Sequence, residues 1–515
     1  MKTKKVIYND FFDAHKLKIA EHLQKKYNWE PILMFGKKPD MDSKVLINKK
    51  FPSCAIIGSL DMRQAQFDYS DIGQVKPLDE EILSSLSNHA FNYLSNLPDP
   101  TGNNFSYEER KSYYFDILKY WNTIIKNLNP DIFVSYIFPH TPSCLSLYLL
   151  CKHHYNIDTL FVNPFPMLNN NHRMISTSIE KMDETISKIY KSNENINLGL
   201  DGIKYLDEIR RKDAKPPSHI IKVRKLLQQT SKIGNRIKTL LGIILKTLKN
   251  GYGLKIDNDW KKNNKPYYKI NSRMNNFENF FFIEKLRHKN KRLKKIYDSY
   301  VTKADLTKKY IYFAAQYQPE ATTSQIGSYY ENFFLVLDIL SAVIPDDWII
   351  YYKENPTIFS NSVIAKGSLR RDKYYYEKLA NYKNVKMISE NTNTFDLIDN
   401  AQVVSTVTGT AAWEAVVRGV PSMTFGKTWY SGCSSIFFIK TFKDAENTIK
   451  KIINGYMPHQ SDIERYTAAI EKVASKNIIP QNMFNIEIAK HENPEKILIK
   501  IADEFHDAHL DHYAN

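Results

Sequence analysis

The sequence contains few cysteines, and no pair of them has the spacing of a metal or redox motif. Four cysteines occur in 515 residues, and none forms Cys-x-x-Cys. Three of the four lie in apolar surroundings, which is typical of reduced core residues in a cytosolic protein. The four positions are Cys54, Cys144, Cys151 and Cys433.

The sequence also lacks a long apolar run and a start that resembles a signal peptide. No run approaches the roughly 20 apolar residues that a membrane-spanning helix requires. The first residues, MKTKKVIYNDFF, begin with basic side chains, but charge returns too soon for a signal peptide. We therefore expect a cytoplasmic protein that is either free or peripheral at the inner membrane.

Nucleic-acid-binding motifs are absent as well, although the formal net charge is +16. A basic surface suits nucleic acid, an anionic membrane face or a phosphate-bearing small molecule. The sequence shows no zinc-finger spacing, no RNP-like aromatic motif and no basic zipper. These absences argue against nucleic acid as the partner.

Apolar strands alternate with amphipathic helices in two parts of the chain. The length predicts at least two domains, and strands separated by helices predict parallel, doubly wound sheets. We predict an N-terminal Rossmann-like lobe, a basic helical insertion or linker, a C-terminal Rossmann-like lobe and a C-terminal helix. Their ranges are 1–175, 176–305, 306–490 and 491–515, in that order.

Within the insertion, residues 219–251 contain many Lys and Arg residues and no acidic residue. Their apolar residues fall near helical spacing, which is typical of a basic amphipathic helix lying in an anionic bilayer surface. A long helix pair packed on the domain, with its lysines in solvent, explains the same pattern.

Two polar features are predicted to face solvent. Arg173 follows a strand end. A solvated arginine is a simpler interpretation of this residue than an arginine that contacts an acidic ligand. The segment HDAHLDH (506–512) places three histidines three residues apart, and we expect it to be a frayed polar tail.

The clearest local motif is AQVVSTVTGTAAWEAVVRGVPSMTFG, residues 401–426. The first of its three glycines, Gly409, allows close backbone approach, and the helix predicted from Thr410 offers free N–H groups to an anion. Glu414, one turn later, can accept hydrogen bonds from a ribose diol. The hydroxyls that would add donors are those of Ser405, Thr406, Thr408 and Thr410. The alternative is an ordinary strand–turn–helix with threonine caps.

A second polar turn follows the buried strand predicted at 310–314. Gln318, Pro319 and Glu320 stand there, and the proline fixes φ and so the direction of the carboxylate. Glu320 is therefore a candidate catalytic carboxylate at the mouth of a cleft. Otherwise, Glu320 is a turn residue that caps a helix near 325–330.

Two residues at strand ends of the N-terminal lobe are further candidates. His140 follows the strand predicted at 131–138 and can accept a proton from a hydroxyl, because the pKa of histidine lies near the working pH. Asp10 follows the first strand and would lie at the edge of the same cleft. Each residue also has a structural interpretation, His140 as a capping or core histidine.

The segment TGTAAWEAVVRGVPSMTFG resembles the donor-site signature of the bacterial capsule polysaccharide biosynthesis glycosyltransferases, the Kdo-transferase-like group. The resemblance is most specific over about residues 309–435 and looser over 1–175. It implies an α/β protein of GT-B fold, whose N-terminal lobe binds the acceptor and whose C-terminal lobe binds the nucleotide-sugar donor. It also implies no metal and no cofactor other than the donor itself.

Two further motifs fit this resemblance. Retaining members carry Gln-x-Asp at a strand end, and its acid is the proposed nucleophile; here 318–320 is Gln-Pro-Glu, whose acid is one methylene longer. The family's His-Pro pair contacts the donor phosphate, and Asn355-Pro356 replaces it. Asn355 donates a hydrogen bond but carries no charge. Lys353, two residues earlier, would supply the positive charge.

The resemblance implies transfer of a CMP-activated ulosonic acid, such as a Kdo-, sialic- or pseudaminic-like sugar. The acceptor would be a glycan or glycolipid of capsular or O-antigen synthesis, and the anomer would be retained if Glu320 forms a covalent adduct. One alternative is an NDP-hexose glycosyltransferase of the same fold. The other is a non-catalytic polysaccharide-assembly protein with a degenerate transferase fold, which the replacement by Asn355 would favour.

Overall fold

A computed structural model of the chain describes most of its length. The described ranges are 2–36, 41–58, 67–70, 72–90, 107–165, 172–211, 233–250, 276–318, 321–324, 326–360, 370–476 and 493–513. Both Pro319 and Glu320 lie outside these residues.

The N-terminal lobe is built on a seven-stranded sheet with the order β13-β6-β5-β4-β1-β2-β3. The first five strands pair in parallel, whereas β6 is antiparallel to β5 and β13 is antiparallel to β6. The strands are β1 (Lys4–Asn9), β2 (Trp29–Gly36), β3 (Ala55–Gly58), β4 (Ile132–Ser135), β5 (Asp158–Pro164), β6 (His172–Ser176) and β13 (Ser475–Lys476).

The C-terminal lobe contains a six-stranded sheet, all parallel, with the order β12-β11-β10-β7-β8-β9. Its strands are β7 (Tyr310–Ala314), β8 (Ile349–Lys353), β9 (Val385–Ile388), β10 (Val403–Thr406), β11 (Ser422–Thr424) and β12 (Ile436–Phe438). In both lobes the second and third strands lie on one side of the first and the later strands on the other, which is the Rossmann order. The predicted GT-B fold, with two Rossmann-like lobes, is confirmed.

Helices connect the strands and cover both sheets. Those before β7 are α1 (Ala14–Tyr27), α2 (Met41–Lys50), α3 (Glu80–Ser85), α4 (Tyr107–Leu128), α5 (Pro142–His153), α6 (Ile179–Lys191), α7 (Leu200–Arg210), α8 (Ile233–Asn250) and α9 (Asn276–Tyr300). Those after it are α10 (Ala321–Ser324), α11 (Phe333–Val343), α12 (Lys373–Ala380), α13 (Thr394–Asp399), α14 (Ala411–Val417), α15 (Phe442–Ile453), α16 (Gln460–Val473) and α17 (Pro494–Tyr513).

The strands are buried on both faces, which explains why their sequences are continuous apolar runs rather than alternating ones. Residues Ile7, Val134 and Phe313 are each at most 1% exposed. All four cysteines are buried and unpaired, which confirms the prediction of reduced core thiols.

The chain returns to the N-terminal lobe after building the C-terminal sheet. Strand β13 pairs with β6, and α17 packs against α1 through Ile497, Ile501 and Phe505, which are buried with Leu17 and Leu23. Position 475 lies inside the range 306–490 that the sequence assigned to the C-terminal lobe. The part of the chain after α16 therefore contributes to the N-terminal sheet and its core.

This return overturns both predictions of solvent-exposed polar residues. Residues Pro494–Tyr513 form a helix, in which His509 is 4% exposed and its Nδ1 lies 2.7 Å from Oδ2 of Asp158, so the segment is not a frayed tail. Arg173 is 1% exposed and its Nη2 donates to Oε2 of Glu504 at 2.7 Å. The apolar side of α17 buries these polar groups, and each of them lies beside a carboxylate.

Candidate functional site

Three motif-bearing turns come together at one edge of the C-terminal sheet. Strands β10, β7 and β8 are direct neighbours in that order, and all three run in parallel. The turns after them carry the motifs at 405–414, 316–320 and 353–356. Neighbouring strands lie about 4.8 Å apart, and the order reverses between β7 and β10. Ligands of doubly wound sheets bind outside the carboxyl ends of the strands at this position.

Gln316 connects the first two turns. Its Oε1 accepts the backbone N–H of Thr408 at 2.8 Å, and its Nε2 donates to the Thr408 hydroxyl at 3.0 Å. The hydroxyl of Thr406 donates to the Ala314 carbonyl at 3.2 Å. These bonds fix the path of the chain from β10 into the Gly409 turn.

The predicted hydroxyl donors therefore differ in their position. Ser405 and Thr406 are fully buried and Thr408 is 9% exposed, whereas Thr410 is exposed. The buried hydroxyls of Thr406 and Thr408 bond within the protein. Among these four, Thr410 presents its hydroxyl at the surface of the turn.

Gly409 has no room for a side chain. A Cβ at this position would lie 2.8 Å from the Thr406 hydroxyl oxygen and 3.2 Å from Cγ of Gln316. The hydroxyl of Tyr430 donates to the Gly409 carbonyl at 2.6 Å, and the Tyr430 side chain is fully buried. The backbone of the turn is thus held on both sides and can approach a ligand closely.

Glu414 lies one turn into α14 and is half-buried. Its Oε1 accepts the Thr410 hydroxyl at 3.0 Å. Burial raises the pKa of the Glu414 carboxyl, although Thr410, Arg418 and Lys353 counteract the rise. Helix α14 has only seven residues, so backbone N–H groups rather than a long helix dipole would contact an anion here.

The β8 turn presents Lys353 and Asn355 in different ways. Lys353 is 6% exposed, and its ammonium donates to the Thr392 carbonyl at 2.7 Å and to the Thr394 hydroxyl at 2.6 Å. Asn355 is half-buried, and its Oδ1 accepts the backbone N–H of Thr357 at 2.9 Å. This bond orients the amide, while Pro356 begins a short 3-10 helix behind it.

Gln318 is anchored by two hydrogen bonds. Its Nε2 donates to the Glu331 carbonyl at 2.7 Å, and its Oε1 accepts from Nη1 of Arg371 at 2.8 Å. Gln318 is 7% exposed. The described structure thus fixes the residue two positions before Glu320.

The N-terminal candidates occupy the equivalent edge of the other sheet. Asp10 follows β1 and His140 follows β4, and these strands are neighbours where the order of that sheet reverses. Asp10 has φ 59°, a left-handed conformation that non-glycine residues adopt at a cost. His140 is exposed, and its Nδ1 lies 2.9 Å from the Phe138 carbonyl oxygen.

The two lobes contact each other through the segment that follows β11. Nζ of Lys427 lies 2.6 Å from Oδ2 of Asp183 in α6, and the rings of Trp429 and Phe165 are 6.1 Å apart. The Tyr466 hydroxyl donates to the Trp429 carbonyl at 2.7 Å. The loop that carries Trp429 and Tyr430, beside the Gly409 turn, is therefore packed between the lobes.

One group of side chains in the described structure has the spacing of metal ligands. It comprises His172, Asp201 and Glu471. The Glu471 carboxylate accepts backbone N–H groups from Gly199 at 2.7 Å and from Gly202 at 3.0 Å. This carboxylate satisfies the first turn of α7, which accounts for its position without an ion.

The strand order and the turns together define a two-lobed α/β protein of GT-B fold, with a candidate ligand site at the strand ends of each lobe. Residues 263–435 match the model of the family described as capsule polysaccharide biosynthesis protein. This segment contains the motifs at 316–320, 353–356 and 405–414, and the resemblance that those motifs predicted is confirmed.

Several solved structures align with this chain at low sequence identity. The beta Kdo 2,7 transferase KpsC from Thermosulfurimonas dismutans is 11% identical, with 97% of this chain and 99% of that chain covered and a TM-score of 0.31. The beta Kdo 2,4 transferase KpsC of the same organism is 13% identical over 66% and 79%, with a TM-score of 0.26. The UDP-GlcNAc 2-epimerase from Methanocaldococcus jannaschii is 13% identical over 92% and 100%, with a TM-score of 0.24. Among curated proteins, no match to this chain is found.

Sequence reasoning did not identify three residues that organise this edge. They are Gln316, Glu354 and Arg371. Glu354 and Arg371 form an ion pair of 3.0 Å in which both side chains are at most 2% exposed. A buried charge needs a partner. The position of Glu354 between a strand and a proline could therefore have indicated a buried ion pair. Nothing in the local sequence pointed to Arg371 as that partner.

Proposed function

We propose that this protein is a glycosyltransferase of bacterial surface polysaccharide synthesis. It would transfer an ulosonic acid from a CMP-sugar donor to a glycan or glycolipid acceptor. The observation that carries the proposal is the coincidence of the family match with the sheet topology. The matched segment places its three motifs on three neighbouring strand ends at the switch point of a Rossmann-like sheet.

On the donor side, the Gly409 turn would hold the nucleotide. The first backbone N–H groups of α14 would contact a phosphate oxygen, and the exposed Thr410 hydroxyl would turn from Glu414 to donate to the phosphate. Glu414 would accept hydrogen bonds from the ribose diol. Because its pKa is raised by burial, a hydroxyl pair that donates to the carboxylate would stabilise its charged form.

Charge that develops on the leaving phosphate needs donors that are already in place. Asn355 supplies Nδ2, because its Oδ1 is committed to the Thr357 N–H. Lys353 supplies a positive charge from behind the turn, where its ammonium is fixed by Thr392 and Thr394. Its effect on the phosphate would be long-range rather than a direct contact.

At the sugar, Glu320 would attack or stabilise the anomeric carbon as the bond to the CMP phosphate breaks. In the covalent route the carboxylate displaces CMP, and the acceptor oxygen then displaces the carboxylate, so the anomer is retained. His140 would take the acceptor proton. If its Nδ1–H donates to the Phe138 carbonyl, Nε2 is the nitrogen that would accept the proton. Asp10 would orient the acceptor at the same edge.

The test is a donor panel with purified protein. CMP should raise the melting temperature and CMP-ulosonates should be turned over, whereas UDP- and GDP-hexoses should do neither. Glu320→Gln should lower kcat by at least about a hundredfold while CMP binding changes little. Glu390→Gln, a carboxylate at the end of β9, is a control with the same change in charge.

Other outcomes separate the alternatives. Stabilisation by UDP or GDP with turnover of a hexose donor would identify an NDP-hexose transferase. Ligand binding without turnover by the unmodified protein, unaffected by Glu320→Gln, would indicate a non-catalytic assembly protein.

We also propose that α8 lies on an anionic membrane surface. Six large apolar side chains on this helix are between 36% and 80% exposed, and their spacing places them on one face. They are Ile233, Ile237, Leu241, Ile244, Leu245 and Leu248. The helix has no acidic residue, and its basic residues are Arg236, Lys238, Lys246 and Lys249.

A second face of α8 attaches the helix to the protein. Nε of Arg236 donates to Oε1 of Glu284 in α9 at 3.1 Å. The apolar stripe is therefore left outside this contact, beside lysines that suit anionic headgroups. No described helix is long and apolar enough to cross a bilayer, and the proposed association is at the surface.

Vesicle binding tests this surface. We expect binding to phosphatidylglycerol-containing vesicles that weakens at high salt, weak binding to phosphatidylcholine alone, and loss of binding in Leu241→Glu/Leu245→Glu. Leu335→Glu changes an exposed leucine of α11 and should have no effect. Equal binding to both vesicle types would contradict the proposal. So would a concentration-dependent dimer that the double variant dissociates, because the stripe would then bind a second copy.

A further inference from the structure

We propose that Arg371 is a positioning residue that couples the Gln318 turn to the Asn355 turn and so sets the aim of Glu320. The inference deepens the proposed glycosyltransferase function and rests on it. Arg371 belongs to neither motif, and it lies two residues before the first residue of α12.

The guanidinium contacts both motifs at once. Its Nη1 donates to Oε1 of Gln318 at 2.8 Å, and its Nε donates to Oε2 of Glu354 at 3.0 Å. The guanidinium is planar and rigid, so the separation between these two contacts is fixed. A shift of either turn would break one of them.

The hydrogen bonds continue into both turns. The other oxygen of Glu354 accepts the backbone N–H of Asn355 at 3.2 Å, and Nε2 of Gln318 donates to the Glu331 carbonyl at 2.7 Å. A continuous path therefore runs from the residue that would face the leaving phosphate to the residue two positions before Glu320.

The surroundings of this path hold it rigidly. Hydroxyls of Tyr352 and Tyr376 donate to Oε2 of Glu354 at 3.1 and 3.2 Å, and the Arg371 guanidinium lies 4.2 Å from the ring centroid of Tyr375. Arg371 is 4% exposed and Glu354 is fully buried. The ion pair is thus isolated from solvent.

Stability alone does not explain a buried ion pair at this position. Well-packed apolar residues of similar volume commonly stabilise a core as much or more, because burying both charges is costly. Furthermore, Nη2 of Arg371 is buried without a hydrogen-bond partner among the described residues. The guanidinium is retained at this cost because it fixes the relative positions of the two motif turns.

The magnitude of the effect follows from the sensitivity of bond formation to alignment. A misplacement of about 1 Å at the reacting atoms lowers the rate roughly a hundredfold. Glu320 follows Gln318 by two residues in the sequence, so we expect a displacement of Gln318 to change the position of the carboxylate.

Arg371→Lys is the first variant. It keeps the charge, but a single ammonium cannot reproduce the fixed geometry of both contacts. We expect kcat for a CMP-ulosonate to fall by about tenfold to a hundredfold while KM for the donor stays within about threefold. Arg210→Lys is the matched control, because Arg210 also bonds a glutamate, Glu464, and a glutamine, Gln460, away from the strand ends.

Gln318→Ala is the second variant and leaves the Arg371–Glu354 pair intact. We expect a similar loss of kcat, and the Arg371→Lys/Gln318→Ala double variant should lose little more than either single change, since both act through one contact. If Arg371→Lys does not fold, Gln318→Ala carries the kinetic test alone. Losses that multiply, or an unchanged kcat with only a lower melting temperature, would overturn the proposal.

A readout without turnover separates this inference from the proposed function. Hydrogen exchange in peptides covering 313–318 and 353–360 should accelerate in Arg371→Lys and not in Arg210→Lys. If the unmodified protein turns over no CMP-ulosonate but both peptides respond, the donor assignment fails and the coupling stands. Acceleration in only one of the two peptides would overturn the coupling itself.

Discussion

Gln316 gives the sharpest test of where the donor phosphate lies. Two substitutions of Gln316 separate its structural role in the Gly409 turn from its distance to the phosphate. Gln316→Ala removes the acceptor of the Thr408 N–H and the donor to the Thr408 hydroxyl. Gln316→Glu keeps an acceptor oxygen at the same place but adds a negative charge beside the Gly409 turn.

The expected magnitudes differ between the two variants. Thr408 is 9% exposed, so its N–H would be left largely without an acceptor in Gln316→Ala, at a cost of about 1–3 kcal/mol in the free energy of unfolding. In Gln316→Glu the Thr408 N–H remains satisfied, and we expect a stability change of at most about 1 kcal/mol. A phosphate about 4 Å from the new carboxylate would be repelled by about 1–4 kcal/mol, depending on the effective dielectric constant.

Calorimetric titration with CMP measures the second effect. The repulsion corresponds to binding that is at least about fivefold weaker in Gln316→Glu, because about 1.4 kcal/mol is a tenfold change. The difference should shrink as salt is added. Gln402→Glu is the control: it makes the same change in the same lobe, next to the amino end of β10.

Two results would refute the reasoning. If Gln316→Glu binds CMP as tightly as the unmodified protein, the phosphate does not lie at the Gly409 turn. If Gln316→Ala unfolds at the same urea concentration as the unmodified protein, the contact with Thr408 does not hold the turn.

Three further predictions concern single positions. Gly409→Ala places a Cβ 2.8 Å from the Thr406 hydroxyl oxygen, so we expect about 1–3 kcal/mol of destabilisation and weaker CMP binding by titration; unchanged affinity would contradict this. Burial raises the pKa of Glu414 above its ordinary 4.5, so the folded state binds more protons and its stability falls as pH rises through that window. Glu414→Gln should therefore be more stable than the unmodified protein near neutral pH and equal to it below about pH 4 in urea unfolding; the same difference at both pH values would exclude this cause. Arg173→Met leaves the carboxylate of Glu504 poorly solvated and should cost about 3 kcal/mol, which Arg173→Met/Glu504→Leu should largely restore; no recovery in the double variant would mean that packing, not charge, dominates.

Much of the fold could be predicted because its strands are short, apolar and separated by helices. The strands predicted at 310–314 and 131–138 are observed at Tyr310–Ala314 and Ile132–Ser135. Parallel strands buried on both faces carry this signal in their own residues. The position of each motif at a strand end follows directly from it.

The contacts between motifs could not be predicted, because they depend on the order of strands in the sheet. Gln316 reaches Thr408 only because the crossover places β10 beside β7, and Arg371 reaches Gln318 across a long separation in sequence. Polar residues near 506–512 were interpreted as solvated for a similar reason. The burial of His509 depends on Asp158 and other N-terminal residues that no local pattern connects to it.

The return of α17 to the N-terminal lobe also determines the order in which the lobes can be finished during synthesis. The C-terminal sheet is contiguous in sequence and can close as soon as β12 has left the ribosome. The surface of α1 that receives Phe505 stays uncovered until α17 has been synthesised. At a synthesis rate of about 5–20 residues per second, this takes roughly 20 to 90 seconds from the emergence of α1. During that interval the lobe that begins the chain is the incomplete one, with an uncovered apolar seam. A truncation or cleavage between 477 and 492 would therefore damage the lobe that is farthest away in sequence.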